Sequence, residues 1–469
     1  MSDQRIKTIL PGRTIHRTRR QVLRDTGIAG GALATGLAAS NAPVFLRNAS
    51  AQDKTKIKVW FPYPLIPEEG EQVQTYAQLI NDFNAQSPDT EAEVFVTNWS
   101  PEKLVTAVAG GDPPDLFYMD RYLAAEWAAR QLLEPVSDRL AASSVIHAED
   151  IWAKLISDVT YQDQIYAVPH YTDVRAFYWN KALFTAAGLD PETAVPTWTV
   201  LKEYIPQLLI KNDQGQIDQL GYAPSIGNPP GFLMWYIHLW QLGGEFMNAE
   251  KTQVTFNNEA GVGSFQFMLD TFELQGGIDP VSEFSSALVP GPGQDIFMLG
   301  KLGMEVNGDW MPPNFARYAP DLQWGIGSIP IPEGGQAANY NGGHAWVIPR
   351  GADNPDNAWS LIEWMLSADS QLKAGLGENV IPARQAVAES TEYLDGEPVA
   401  NSELRRLFVD EFKVSRWVPV IPGVGEIFAS NQRAFDEVMH KVSTPEEATK
   451  TMADECQAIL DNWQSQIQS

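Results

Sequence analysis

Gly110-Gly111-Asp112-Pro113-Pro114-Asp115-Leu116-Phe117-Tyr118-Met119 reads as a turn cluster that feeds a short, buried strand. Glycine and proline end the helix expected from Pro101 to Ala109. The unbroken apolar run after them suits a strand covered on both faces. Upstream, Ile57, Val59 and Phe61 alternate as in a strand, and Ala92, Val94 and Val96 repeat that period. Between them Val73, Tyr76, Ile80 and Phe83 follow at helical spacing and stop at Ser87-Pro88. The order is βαβαβ, which implies a parallel sheet flanked by helices.

Downstream the pattern is longer than one small core needs. Tyr166–Pro169 and Arg175–Trp179 are extended around His170-Tyr171-Thr172-Asp173. An aromatic run from Phe232 to Trp240 leads into Leu242-Gly243-Gly244. Helices are expected near Ala260–Leu274 and Gln294–Leu299, with strands at Gly303–Val306 and Ala345–Ile348. Proline and glycine dominate from Pro312 to Gly343. Asn357–Leu366 reads as a helix. Thr444-Pro445-Glu446-Glu447 is a helix start with its cap, proline and returning glutamate in register. Ala448, Met452, Cys456, Ile459 and Trp463 then line one face, so Cys456, the single cysteine, reads as a core thiol.

The first fifty residues have another character. A basic segment ends in Thr18-Arg19-Arg20-Gln21-Val22-Leu23-Arg24; an Ala- and Gly-rich apolar stretch and the small-residue site Ala49-Ser50-Ala51 follow. Basic, apolar and small-residue regions in that order describe a removable export signal, and the paired arginines resemble the twin-arginine type. Residues 1–51 are assigned to it. The whole chain carries a formal net charge of −26, and this leader holds eight Lys/Arg against two Asp, so the remainder is more acidic still. Such a balance argues against nucleic acid and against anionic membranes as partners.

Catalytic signatures are absent: no G-x-S-x-G elbow, no H-E-x-x-H, no phosphate-binding G-x-x-x-x-G-K-[ST] loop and no paired C-x-x-C. The histidines lack metal-ligand spacing, and no cofactor or metal is expected. Aromatic residues are abundant instead, with 15 Trp and 14 Tyr, many beside Gly, Pro, Asp or Asn. A sugar ring stacks its apolar face on an aromatic plane, while its hydroxyls need fixed acceptors and donors. Tyr63, Trp99, Tyr118 near Asp120, Trp235-Tyr236, Trp310, and His344 with Trp346 are candidates of this kind. Taken singly, each such tryptophan is better read as a core residue; the case for a site rests on their recurrence at strand ends.

Together these motifs resemble the family-1 extracellular solute-binding proteins of ABC importers, the maltose-binding-protein-like group. The resemblance rests on Gly110–Leu116, on Tyr166–Pro169, and on Tyr178-Trp179-Asn180-Lys181-Ala182-Leu183-Phe184. Pro196-Thr197-Trp198, Asn307-Gly308-Asp309-Trp310 and Gly342-Gly343 continue it in order. It implies an α/β, two-lobed periplasmic-binding-protein fold, each lobe a mainly parallel sheet flanked by helices, with ligand in the cleft between lobes. The lobes are expected as 52–172 and 346–383 for the first, and 173–345 and 384–469 for the second. Crossings are expected near Tyr171–Asp173, Asn341–Trp346 and Ile381–Arg384.

By the same resemblance Asp120-Arg121 would bond sugar hydroxyls, Asp173 would be a cleft carboxylate, and Trp310 would stack on a sugar. Tyr118 lies near a second stacking position, and Phe232, Trp235 and Tyr236 cover an aromatic wall. Tyr63 stands in a loop where the family has an Asp-Lys pair, and Phe428 where it has a stacking tryptophan. These departures weigh against maltose. Tyr171, Arg175 and Gly343 sit at the crossings; Arg175 suits either a charged sugar or a carboxylate partner. The implied protein is a monomeric, non-enzymatic sugar receptor outside the cytoplasmic membrane that serves ABC permease subunits. Glycerol phosphate or another polar solute is the alternative ligand. The alternative activity is an exported, carboxylate-dependent polysaccharide-degrading enzyme.

Overall fold

The computed structural model describes residues 54–62, 74–97, 102–223, 231–286, 293–396, 402–418 and 420–468. The stretch read as an export signal, Tyr63 and Trp99 lie outside the described residues.

The opening βαβαβ unit forms as its periodicity predicts. Thr55–Phe61 pairs in parallel with Thr90–Val96 on one side and with Leu116–Asp120 on the other. Ile57, Val59 and Phe61 are fully enclosed. The second strand is an edge, and its end runs past the cover: Phe95 and Val96 are each 44% exposed. His344–Val347 and then Val168–Pro169 complete a five-stranded sheet, both antiparallel to their neighbours.

A second, mixed sheet is built around one ten-residue strand, Tyr171–Asn180. Leu302–Gly308, Trp324–Gly327, Asn339–Gly342 and Ile381–Pro382 all pair with it antiparallel along different parts of its length. Ile217–Ala223 extends the sheet in parallel beyond Leu302–Gly308.

The chain passes from the five-stranded to the mixed sheet at His170, between Pro169 and Tyr171, and returns at Gly343, between Gly342 and His344. Ile381–Pro382 is a third contact with the central strand, at Thr172 and Tyr171. Helices follow this division. Gln74–Gln86 packs against Thr90–Val96, Pro355–Leu366 and Ala368–Glu378. Gly231–Gln241, Glu259–Glu273, Val424–Met439 and Pro445–Gln468 pack together on the mixed-sheet side.

One local expectation fails, and one helix lies where the sequence reading names none. Gln294–Leu299 forms turns rather than a helix. Met311–Tyr318 is a helix inside the proline- and glycine-rich tract, because Pro312 and Pro313 fall in its first turn, where the amide they lack has no intrahelical partner. The C-terminal helix starts as read: Glu447 donates its amide to Thr444 Oγ1 at 3.2 Å, and Thr444 donates its amide to the Glu447 carboxylate at 3.1 Å. Cys456 is fully enclosed on this helix, and burial pushes its thiol up to about 12.

Candidate functional site

Strand geometry decides which candidates meet. Residues two apart on a strand share a face, so Tyr171, Asp173 and Arg175 project together from the central strand. Asp173 accepts from Arg175 Nη1 at 2.5 Å and from the Gly342 amide at 3.0 Å. The Arg175 guanidinium lies between two rings, 4.8 Å from the centroid of Trp310 and 5.0 Å from that of Tyr340. Of the two sequence readings of Arg175, the carboxylate partner is therefore the one observed. Beside them Asp309 is fully buried, and neither of its carboxylate oxygens meets a donor of normal geometry among the described residues. Burial and the neighbouring charge of Asp173 hold its carboxyl well above the usual range, while Arg175 pulls the other way.

A second polar row runs from the end of Leu116–Asp120 across the return crossing. His344 Nε2 lies 3.1 Å from Asp120 Oδ1, and its Nδ1 shares a short hydrogen bond with the Tyr171 hydroxyl. The His344 ring stacks on Tyr118 at 5.3 Å. Behind it the Tyr118 hydroxyl and His170 Nδ1 are 3.1 Å apart. His170 is wholly buried, and desolvation, with His344 nearby, lowers its pKa to about 3.

Arg121 belongs to the crossing itself. It is fully buried and donates to the Tyr171 carbonyl at 3.0 Å and to Asn341 Oδ1 at 2.8 Å. A side chain on Gly343 would come within 2.4 Å of this guanidinium and 2.5 Å of the same carbonyl.

Several candidates belong to packing instead. Trp235 and Tyr236 are completely enclosed: the helix Gly231–Gln241 is buried on nearly every face, and Trp235 donates to the Gly261 carbonyl at 3.1 Å. Trp346 is also enclosed, stacked on Phe61 at 5.6 Å. Of the expected aromatic wall only Phe232 is half-exposed. It meets Phe428 at 5.4 Å, Phe428 meets Tyr122 at 5.3 Å, Tyr122 meets Trp417 at 6.1 Å, and Trp417 meets Tyr340 at 5.0 Å. This chain joins the two sheets' elements, and Tyr122, Tyr340 and Trp417 were not among the sequence candidates. Tyr122 directly follows Asp120-Arg121, a position that could have signalled it. The described residues thus bring Asp120, His344, Tyr171, Asp173, Arg175 and Trp310 together with a half-buried aromatic row. No group of metal-ligating side chains occurs among them.

Comparison with known proteins fits this geometry. The profile of the bacterial extracellular solute-binding protein family matches residues 67–372. A probable amino-acid ABC transporter periplasmic-binding protein of Sinorhizobium fredii is 25% identical over 307 residues, 64% of this chain and 65% of that protein. The maltotriose-binding protein of Pyrococcus abyssi is 22% identical over 429 residues, 88% of this chain and 82% of that protein. The crystal structure of an ABC transporter solute-binding protein from Thermotoga lettingae, bound with α-D-tagatose, superposes with a TM-score of 0.73 at 24% identity. It covers 87% of this chain and 100% of that one, which establishes the two-lobed α/β fold.

Proposed function

We propose that this chain, which belongs to the bacterial extracellular solute-binding protein family, is the receptor of an ABC importer for a neutral sugar, held where the two sheets meet. The observation that carries the reading is the half-buried aromatic row Tyr122–Phe428–Phe232 with Trp417 and Trp310, set beside the polar row Asp120–His344–Tyr171. Rings stack on a sugar's apolar face while carboxylate, imidazole and phenol meet its hydroxyls.

The electrostatics weigh against a phosphate. Arg175 is matched by Asp173, and Arg121 is enclosed and committed to Tyr171, Asn341 and Asp158. Neither guanidinium is left to receive an anion, and an anion there would meet Asp120 and Asp173 as like charges. The lobes of this receptor are 52–172 with 346–383, and 173–345 with 384–469. The receptor acts as a monomer without catalysis, presenting ligand to permease subunits. Residues 1–51 direct its export by the twin-arginine route, supported by Thr18–Arg24; replacing Arg19 and Arg20 with lysine should retain the precursor in the cytoplasm, and unimpaired export would remove this part of the reading.

The test is a thermal-shift screen of neutral mono- and oligosaccharides, polyols, sugar phosphates and amino acids. A saturating ligand at a hundred times its dissociation constant adds about 2.7 kcal/mol of stability. A neutral sugar should raise the melting temperature, and Trp310→Ala and Asp120→Asn should abolish that rise. A response confined to phosphates or amino acids refutes the neutral-sugar reading.

A further inference from the structure

The face of the five-stranded side that turns toward the mixed-sheet side carries two charged residues one helical turn apart, Glu126 and Arg130. The helix Ala124–Ala129 follows the strand Leu116–Asp120 after the single 3-10 turn Arg121–Leu123, and its Trp127 stacks on Phe117 of that strand at 5.8 Å. Glu126 is only 7% exposed although it carries a charge. One of its oxygens accepts from Arg130 at 2.8 Å; the other takes the amide of Gly425 at 3.4 Å. Gly425 lies in the first turn of Val424–Met439, which packs on the opposite side of the molecule. A carboxylate at that end satisfies an amide left without an intrahelical partner and complements the helix dipole.

Arg130 extends the contact. Its guanidinium stands 5.7 Å from the ring centroid of Trp463, on the C-terminal helix. That helix is fixed to the mixed-sheet side: Gln457 donates to the Thr252 carbonyl and accepts from the Val254 amide, and Gln464 donates to the Lys251 carbonyl. Trp463 in turn donates to Glu426 at 3.3 Å. It sits so close to Gly423 that any side chain there would overlap the indole, at 2.4 Å from Nε1. Next to Arg130, Gln131 lines a concavity of about 570 Å³ together with Arg350, Trp463 and Gln466. The aromatic contact Tyr122–Phe428 also joins the two sides.

We propose that Glu126 and Arg130 form a latch with the N-terminus of Val424–Met439 and with Trp463, and that this latch favours the closed arrangement of the lobes without any contact to ligand. A two-state equilibrium shifts only through interactions that differ between its states. The Glu126–Gly425 and Arg130–Trp463 contacts join one lobe to the other, so both are lost when the lobes part, while the Glu126–Arg130 pair lies on one lobe and orients them. The buried position of Glu126 strengthens the effect, because a charge-assisted hydrogen bond there is less screened than one in water.

The test is small-angle X-ray scattering from the purified full-length exported protein without added ligand, comparing wild type with Glu126→Ala and with Arg130→Met. Both variants should shift the radius of gyration upward and lengthen the maximum dimension, with far-ultraviolet circular dichroism unchanged. Arg130 is largely at the surface, so its variant reports on the latch even if the Glu126 variant fails to fold. A folded Arg130→Met protein whose scattering superposes on wild type overturns the proposal. So does a wild type already as extended as the variants.

Discussion

Gly343→Ala is the substitution that most directly tests how tightly the return crossing is packed. Gly343 has φ +116°, where a side chain is strained whatever space surrounds it. A methyl group there would also lie 2.4 Å from Arg121 Nη1, 2.5 Å from the Tyr171 carbonyl oxygen and 2.9 Å from the Thr172 Cα. Two of these neighbours are backbone of the outgoing crossing, and the third is the end of a fully buried side chain held by Tyr171 and Asn341. None can move aside cheaply. Backbone strain costs about 1–3 kcal/mol, and overpacking costs typically another ~1–3 kcal/mol. Gly351 provides the internal control. Its φ is +83°, yet a Cβ there would meet nothing nearer than Pro113 at 3.9 Å. Gly351→Ala therefore carries the strain alone. At roughly 2–4 °C per kcal/mol for domains of the size of one lobe, Gly343→Ala should lower the melting temperature by on the order of 10 °C and Gly351→Ala by a few degrees. Differential scanning calorimetry of the two variants reads the difference. Equal losses would mean that the two crossings do not press on each other at Gly343 and that Arg121 is not pinned there.

Two further outcomes follow from buried charges. Burial raises the Glu378 carboxyl from 4.5 to about 7, against the bonds it accepts from Thr75. A raised folded-state pKa means that, between these values, the folded protein keeps a proton that the unfolded chain releases. Its contribution is whole below about pH 4.5 and fades as pH climbs through about 7, at ~1.4 kcal/mol per pH unit. Glu378→Gln should flatten that part of a stability-versus-pH curve and stabilise the protein at pH 8; an unchanged curve would refute the burial argument. Arg175→Met should lose about 3–5 kcal/mol in urea titrations at neutral pH, because it leaves Asp173 buried without its cation. Recovery by Arg175→Met with Asp173→Asn would identify the unpaired charge as the cause, and a double variant no better than the single one would point to lost stacking on Trp310 and Tyr340.

The sequence was most legible where one local rule acts alone. Alternation at Ile57, Val59 and Phe61 fixed a strand that the sheet then enclosed, and the Thr444–Glu447 box marked a helix start that needed no tertiary help. It was least legible where burial on all faces erases periodicity. The run Phe232–Trp240 looks equally aromatic from every side, so nothing in it shows that Phe232 alone is half-exposed while Trp235 and Tyr236 are swallowed. Trp346 was ambiguous for a related reason: it stands two residues past His344 and so shares its strand face, yet the sheet interior claims it. Tyr340 and Trp417 gave no signal because their relation exists only after Asn339–Gly342 pairs with Ser415–Arg416.

The two kinds of candidate residue separate along the central strand itself. On the face that holds Tyr171, Asp173 and Arg175, the next residues in period are Phe177 and Trp179, both buried. One face of one strand thus changes from polar to apolar as it leaves the crossing. The polar end is held by partners brought from far along the chain: Gly342 to Asp173, His344 to Tyr171, and Trp310 and Tyr340 to Arg175. The apolar end is held by ordinary sheet packing against Met304 and Gly325. A row built this way rests on sheet packing at one end and on inter-sheet contacts at the other. The chain crosses between the sheets at His170 and Gly343, where this row begins, so the contacts that fix the row are also contacts that link the two sheets.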